Sequence, residues 1–498
     1  MRAPAGRLSF TLLLAAAAGV GIGGCASRKP VVVTEMPGFI VERVDHGAAA
    51  LLGSASAAER RSAPAGFWEA LSGLDFEAAA RHAVAAHLAG DPVGEQQRLL
   101  VEALRLAVAG HDEDADSALA ATIAVSDDPL VRRAARIALT ATLQAKGDWT
   151  ALATLSRGAR TPAAGSTVAA DSVAAVSARY AARDSAGRDS AAAAALGPDG
   201  KASVEAWARA FHAAPRARYD FPAQPVVLPL ALSTSGVPTV PVRINGQTYH
   251  FWLDTGSSLT ILSDRVAAAA GVAPLGADTL EAVTATGQVR ARPALVPALA
   301  LGELTIVNAS AMLVGDDQLT LGVEGDSARL HVDGIIGFDA IRRMDLELDY
   351  GRSRATIRRP RSPDAGAERA RNLFWLGYPI VRVTGADGTP LHFALDTGAD
   401  ESYAAIPLLQ KTGVRTVLAE RRSVRGFGKA LSVRGRIIPR LRLRLRDTQI
   451  RLERVFVYVT QYPTIFVLDG TLGSDAGAGG VVRIDMTNGI FAVGKARP

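Results

Sequence analysis

The feature that most constrains this chain is an internal repeat in its C-terminal half. Residues 241–257 read PVRINGQTYHFWLDTGS and residues 380–399 read IVRVTGADGTPLHFALDTGA, so both segments reach an Asp-Thr-Gly. Apolar and polar residues alternate on both sides of an Asn-Gly or Asp-Gly pair, a pattern typical of a β-hairpin. Each copy therefore predicts a hairpin followed by a tight loop that carries an aspartate, Asp254 in the first and Asp396 in the second.

A second motif follows each Asp-Thr-Gly in the same order. It reads DGIIGFD at residues 333–339 and DGTLGSD at residues 469–475, which begin 79 and 73 residues after the respective aspartates. Two linked motifs at nearly equal spacing indicate a duplicated β-rich unit. The boundaries predicted for the two units are 221–361 and 362–498.

Together the two motifs resemble the signature of aspartic proteases, and DGIIGFD is most similar to the retroviral-type, or retropepsin-like, branch. The resemblance covers residues 221–498. It implies a two-lobed acid-protease β-barrel fold with pseudo-twofold symmetry, in which Asp254 and Asp396 meet between the lobes. Retropepsins with a single repeat dimerise to pair their aspartates, whereas a tandem copy can do so within one chain. Pairing between two chains remains the alternative.

The chemistry of such a pair explains the residue types. Two neighbouring carboxyl groups cannot both be charged, so they share a proton and their pKa values split. One carboxylate can then activate a water as general base, while the other acts as general acid towards the scissile peptide bond. This reaction requires no metal and no cofactor, and its substrate is a peptide or protein.

The resemblance also implies roles for the residues around the catalytic pair. Thr255 and Thr397 join the two loops by hydrogen bonds, and Gly256 and Gly398 allow the backbone to approach the carboxyl groups. Ser257 would donate to its neighbouring carboxylate, which Ala399 cannot do, so the two aspartates should differ. Gly337 and Gly473 are implied to be structural. The candidates for the tips of substrate-covering flaps are Thr286, Gly287, Gly426 and Phe427.

The N-terminus has the pattern of a secretory signal. Arg2 and Arg7 precede the apolar run 8–20, and small residues lead to Cys25, the only cysteine in the chain. Residues 22–25 resemble the lipobox of bacterial lipoproteins, in which the cysteine is lipidated. We therefore expect a signal peptide over 1–24 and a lipid anchor at Cys25 in the cell envelope, with outer-membrane sorting facing the periplasm implied by Ala26. A plain signal peptide is the alternative.

The residues between this signal and the repeat divide into three parts. Residues 25–62 are predicted to be a tether, and residues 63–158 an α-hairpin array whose first helix loosely resembles a tetratricopeptide repeat. Residues 159–220 are predicted to be a flexible linker with one short helix over 203–213. Asp112, Asp114 and Asp116 lack the glycine and distal glutamate of a calcium loop and are interpreted as a solvated turn.

Composition limits the remaining function classes. The chain has 498 residues, with 55 basic and 49 acidic ones spread along it, and no arginine- or lysine-dense arm that would favour nucleic-acid binding. A single cysteine excludes an intramolecular disulfide framework and a cysteine-based zinc site. The sequence thus predicts a multidomain α plus all-β protein that acts as an envelope-tethered aspartic endopeptidase, with a possible protein partner for its helical domain. The alternative is a non-catalytic peptide-binding or scaffold lipoprotein with a decayed protease fold.

Overall fold

The computed structural model describes residues 35–36, 39–40, 65–158, 200–284, 287–322, 329–362, 370–414, 417–425, 427, 430–457 and 465–495. Within them, helices form the N-terminal part and strands the C-terminal part, which confirms the predicted fold class. The predicted signal peptide and Cys25 lie outside the described residues, as do residues 41–62 of the tether and residues 159–199 of the linker.

Six consecutive helices fill residues 65–158, and four more follow later in the described residues. Aspartates cap two of these helices, because the side chains of Asp75 and Asp128 accept hydrogen bonds from first-turn amides. Gly110 and Gly147 follow the last residues of two helices with φ values of 79° and 67°, which a residue with a Cβ adopts only with strain. In chain order the helices are α1 (Ala65–Ser72), α2 (Phe76–Leu88), α3 (Val93–Ala109), α4 (Asp112–Val125), α5 (Pro129–Lys146), α6 (Trp149–Gly158), α7 (Gly200–Phe211), α8 (Asp264–Ala269), α9 (Phe338–Ile341) and α10 (Ile406–Thr412).

The strands lie mainly in the repeat region and are short to medium in length. In chain order they are β1 (Glu35–Met36), β2 (Phe39–Ile40), β3 (Arg218–Asp220), β4 (Val226–Pro229), β5 (Ala231–Leu232), β6 (Pro238–Ile244), β7 (Gln247–Leu253), β8 (Thr260–Ser263), β9 (Leu280–Thr284), β10 (Gly287–Leu301), β11 (Leu304–Val314), β12 (Thr320–Gly322), β13 (Arg329–His331), β14 (Gly334–Ile336), β15 (Asp345–Asp349), β16 (Arg354–Arg358), β17 (Leu373–Trp375), β18 (Pro379–Gly385), β19 (Pro390–Leu395), β20 (Tyr403–Ala404), β21 (Val417–Arg425), β22 (Ala430–Leu445), β23 (Thr448–Val457), β24 (Gly470–Leu472), β25 (Gly480–Asp485) and β26 (Ile490–Lys495).

Two six-stranded barrels with the same connectivity form the two lobes. In lobe 1 the strands β6, β7, β14, β8, β11 and β10 follow one another, and β10 closes the circuit by pairing with both β6 and β11. In lobe 2 the strands β18, β19, β24, β20, β23 and β22 make the same circuit, closed by β22. The predicted two-lobed β-barrel fold is therefore confirmed.

A shared sheet joins the lobes away from the aspartates. Its five strands lie in the order β26, β25, β15, β16 and β4, so that β15 of lobe 1 pairs antiparallel with β25 of lobe 2. Leu346 and Leu348 of β15 and Ile484 of β25 are buried. The lobes are thus connected by backbone hydrogen bonds and apolar packing as well as by the chain itself.

The helical region packs directly on the lobes. Buried Asp112 accepts hydrogen bonds from the guanidinium groups of Arg342, at 2.7 Å, and Arg343, at 3.2 Å, both at the end of α9. The carbonyl of Ser72 accepts a hydrogen bond of 2.8 Å from the amide of Val467 in lobe 2. The prediction of a solvated turn is wrong for Asp112, because its cationic partners come from a distant part of the sequence.

The linker prediction is also wrong over residues 200–220. Helix α7 is present close to the predicted place, but Phe211 is buried and stacks on Trp149 of α6 with 4.7 Å between the ring centroids. The ring nitrogen of Trp207 donates to the carbonyl of Glu281 in β9, and β3 pairs with β11 of lobe 1. These aromatic contacts bury enough apolar surface to hold the segment against the protein.

Candidate active site

The two aspartates stand at equivalent points of the two barrels, one residue beyond β7 and one residue beyond β19. Alternate residues of β7, including Phe251 and Leu253, fill the barrel core, and the chain then leaves the strand. The amide of Asp254 donates to the carbonyl of Ile336 at 3.1 Å, and the amide of Asp396 donates to that of Leu472 at 2.9 Å. The strand of each glycine motif therefore lies directly behind the loop that carries the aspartate.

Thr255 and Thr397 connect the two loops by four reciprocal hydrogen bonds. Each threonine amide donates to the other hydroxyl at 3.0 Å. The hydroxyl of Thr255 donates to the carbonyl of Leu395 at 2.8 Å, and that of Thr397 donates to the carbonyl of Leu253 at 2.7 Å. Both threonines are buried, so these bonds fix the relative position of the two loops without competition from water.

The two carboxyl groups meet across this junction. A Cβ added to Gly256 would lie 2.6 Å from an oxygen of Asp396, and one added to Gly398 would lie 2.6 Å from an oxygen of Asp254. Real Cβ atoms do not approach other atoms so closely, so only glycine fits at either position. The structure brings Asp254 and Asp396 together within one chain.

Backbone amides of its own loop donate to each carboxylate. Gly256 donates to Asp254 at 2.7 Å, while Gly398 and Ala399 donate to Asp396 at 3.0 and 3.2 Å. The hydroxyl of Ser257 donates to the carbonyl of Leu259 at 2.7 Å. The prediction that it donates to the carboxylate is therefore wrong, because the turn offers it a closer backbone acceptor.

Burial and mutual repulsion shift the acidity of both groups. Burial and then the negative charge of Asp396 raise the pKa of Asp254 well above its ordinary value. Burial also raises the pKa of Asp396, while hydrogen bonds from Asp254, Tyr378 and the loop amides oppose this rise. Two neighbouring buried carboxyl groups of this kind share one proton, because a second buried negative charge would be unfavourable.

Tyr378 is the residue at this site that the sequence analysis missed. Its hydroxyl lies 3.2 Å from Oδ2 of Asp396 and donates a hydrogen bond to it. Tyr378 precedes Pro379, where β18 begins, just as Val237 precedes Pro238, where β6 begins. A comparison of the two repeats one residue upstream of their first strands would have found this difference.

The second motifs support the loops from behind. A Cβ added to Gly337 would lie 2.5 Å from the backbone of Leu259, so the chain passes too close for another residue. The amide of Phe338 donates to the carbonyl of Ser257 at 2.7 Å, and that of Ser474 donates to the carbonyl of Ala399 at 2.8 Å. Residues 474–477 form one turn of 3₁₀-helix where lobe 1 has α9.

Hairpins lie where the flaps are predicted, β9–β10 in lobe 1 and β21–β22 in lobe 2. Gly287 begins β10, whereas Thr286 and Gly426 lie outside the described residues. The ring of Phe427 lies 5.7 Å from that of Trp252, which is on the same side of β7 as Asp254. The lobe 2 hairpin therefore reaches lobe 1 two residues before its aspartate.

The part of the chain that the structure describes contains neither a metal-binding cluster nor a membrane-spanning helix. In this part, no group of three or more His, Cys, Asp or Glu side chains could hold a metal ion. No helix among the described residues is long and apolar enough to span a bilayer.

The chain is similar to known proteins in two comparisons. Residues 240–340 match the family model described as aspartyl protease, a range that includes Asp254 and the first glycine motif. Among solved structures, the chain is similar to a retropepsin-like aspartic protease from Rickettsia conorii, with 15% identity over 28% of this chain and 92% of that chain and a TM-score of 0.19. No curated protein matches the chain. Residues 240–340 thus match the aspartyl protease family model, and the C-terminal half has the two-lobed, retropepsin-like form.

Proposed function

We propose that this protein is an aspartic endopeptidase that cleaves peptides or proteins with a water molecule activated between Asp254 and Asp396. The observation that carries the proposal is the contact between the two carboxyl groups, each placed against the glycine of the opposite loop. A structural turn needs no such pair, and two buried like charges destabilise a fold unless they share a proton. The four hydrogen bonds between Thr255, Thr397 and the opposite loops support a rigid, preorganised pair.

In the resting state of this proposal, Asp254 is protonated and Asp396 is ionised. Asp396 removes a proton from the water as its oxygen attacks the scissile carbonyl carbon, and Asp254 gives its proton to the carbonyl oxygen. The resulting tetrahedral diol collapses when Asp396 returns its proton to the leaving nitrogen and Asp254 takes back a proton from a diol hydroxyl. The C–N bond breaks, and both carboxyl groups regain their starting states.

Cleavage of a mixed peptide library tests this proposal. The chain in detergent would be compared with its Asp254→Asn and Asp396→Asn variants over about pH 3 to 7, where a split carboxyl pair titrates. We expect cleavage by the unmodified chain and its loss in both single variants. Asp447→Asn, which changes an exposed lobe 2 carboxylate, is the matched control and should leave cleavage unchanged.

Two results would contradict the proposal. Cleavage that survives one of the two dyad substitutions would mean that the carboxyl groups do not act as a pair. A folded chain that cleaves nothing in the library would instead support the non-catalytic, peptide-binding alternative, which equilibrium binding of the same peptides would then test.

We further propose that the enzyme is anchored in a bacterial cell envelope through lipid on Cys25, on the outer membrane facing the periplasm. The support is the lipobox-like sequence around the chain's one cysteine. Attached acyl chains would hold the protein at a membrane without a spanning helix. Cys25→Ser should move the protein from the membrane fraction to the soluble fraction, and an unchanged distribution would refute the anchor.

A further inference from the structure

The catalytic pair differs from twofold symmetry at one side chain. Backbone amides donate to both carboxylates, that of Gly256 to Asp254 and those of Gly398 and Ala399 to Asp396. The phenol of Tyr378 adds a further donor to Asp396 alone.

The position of the phenol is fixed by the turn that leads into lobe 2. Gly377 adopts a φ of 74°, which favours glycine, and Pro379 restricts the backbone on the other side. The amide of Leu376 donates to the carbonyl of Tyr378 at 3.2 Å and closes the turn. In lobe 1, Val237 holds the equivalent place before Pro238, and its side chain has no hydrogen-bond donor.

We infer that Tyr378 is a positioning residue that assigns the two catalytic roles, because its hydroxyl holds Asp396 in the ionised form as the base and leaves the proton on Asp254 as the acid. This inference rests on the proposed function. A phenol O–H stabilises an ionised carboxylate more than a neutral one, because hydrogen bonds to charged groups are the stronger ones. With Tyr378 on Oδ2 and two amides on Oδ1, both oxygens of Asp396 have a donor.

Few other titratable groups act on Asp396. Asp254 faces it from the lobe 1 loop and Tyr378 from the turn before β18, while its remaining large influences are burial and the amides of its own loop. The opposing carboxyl group is common to both aspartates. The phenol of Tyr378 is therefore the side-chain donor that distinguishes Asp396 from Asp254.

The test is Tyr378→Phe, which removes the hydroxyl and keeps the ring. Loss of the donor should raise the lower apparent pKa of the pair by about one unit, so that kcat/KM on the acidic side of the optimum falls about tenfold while values near the optimum change little. Tyr249→Phe is the matched control, because its hydroxyl bonds Gln247 at 2.8 Å, at the start of β7. Its pH profile should be that of the unmodified chain.

A second readout separates this inference from the proposed function. Titration of ¹³C-labelled aspartate carboxyl groups by NMR, assigned with Asp254→Asn and Asp396→Asn, follows the pair whether or not the protein cleaves peptides. If Tyr378→Phe shifts the titration of an inactive protein, the role of the phenol stands and the proposed activity fails. If the enzyme is active and neither the titration nor the pH profile moves, the inference on Tyr378 is overturned.

Discussion

The junction between the two loops gives the sharpest stability prediction. Thr255→Val keeps the shape of the side chain but removes the hydroxyl, which donates to the carbonyl of Leu395 and accepts from the amide of Thr397. Both of these backbone groups belong to the buried junction between the lobes. An unpaired buried polar group costs about 1–3 kcal/mol, so two should lower the free energy of unfolding by about 2–6 kcal/mol. Cleavage should fall as well, because the two carboxyl groups lose their fixed separation.

Urea unfolding of the two variants at one pH measures this loss. Thr255→Ser retains the hydroxyl and should lose only about 1 kcal/mol for the missing methyl group. Thr412→Val is a second control, because its hydroxyl donates to the carbonyl of Leu408 and accepts from the amide of Val414, both within four residues of it in the sequence. If Thr255→Val and Thr255→Ser unfold with free energies within about 1 kcal/mol of each other, the hydroxyl does not hold the lobes together.

Three further predictions follow from contacts of buried groups. Gly398→Ala should lower kcat/KM at least about 100-fold, because the new Cβ displaces the opposite carboxyl group. Gly276→Ala should leave kcat/KM unchanged, because its new Cβ meets only open space. Equal kcat/KM values for the two variants would refute the packing argument. Because the pKa of Asp254 is raised in the folded protein, the contribution of this carboxyl group to stability falls as pH rises above about 4. Asp254→Asn should therefore gain stability over the unmodified chain towards neutral pH, by about 1.4 kcal/mol per unit of pKa shift. Thermal unfolding across pH would measure this gain. Asp112→Asn should lower the free energy of unfolding in urea by about 3 kcal/mol, because it weakens the buried ion pair with Arg342. Glu95→Gln, which changes an exposed ion pair, should have no measurable effect. A loss for Asp112→Asn no larger than that for Glu95→Gln would refute the stabilising role of the buried pair.

The sequence predicts the two barrels because the repeat carries its own local signals. Alternating residues before Asp254 and Asp396 indicate strands, and the Asn-Gly and Asp-Gly pairs indicate the hairpin turns. The close approach of Gly256 and Gly398 to the opposite carboxyl groups follows from the resemblance, and the geometry agrees with it. Where residue type alone determines the local conformation, sequence reasoning succeeds.

Local sequence patterns do not predict contacts between residues that are far apart in the chain. Nothing near Asp112 in the sequence indicates that Arg342 forms an ion pair with it. The residues around α7 are mostly small or polar, and their pattern does not predict that Phe211 stacks on Trp149. Tyr378 lies 18 residues before Asp396, outside the Asp-Thr-Gly motif, and its contact with Asp396 depends on the turn that positions its hydroxyl. These features depend on tertiary packing, which no periodicity in the chain encodes.

The shared sheet of β15 and β25 has a consequence for the direction in which a peptide can bind. A symmetric dimer presents the same surroundings to both ends of a peptide, so either orientation of the substrate meets an equal site. Here the two lobes are parts of one chain, and the place that Tyr378 holds before β18 is held by Val237 before β6. A peptide has an N-terminal and a C-terminal end, and an unequal cleft gives the two orientations different energies. Joining the lobes in one chain would thus allow the proposed peptidase to select a single polarity of the bound strand.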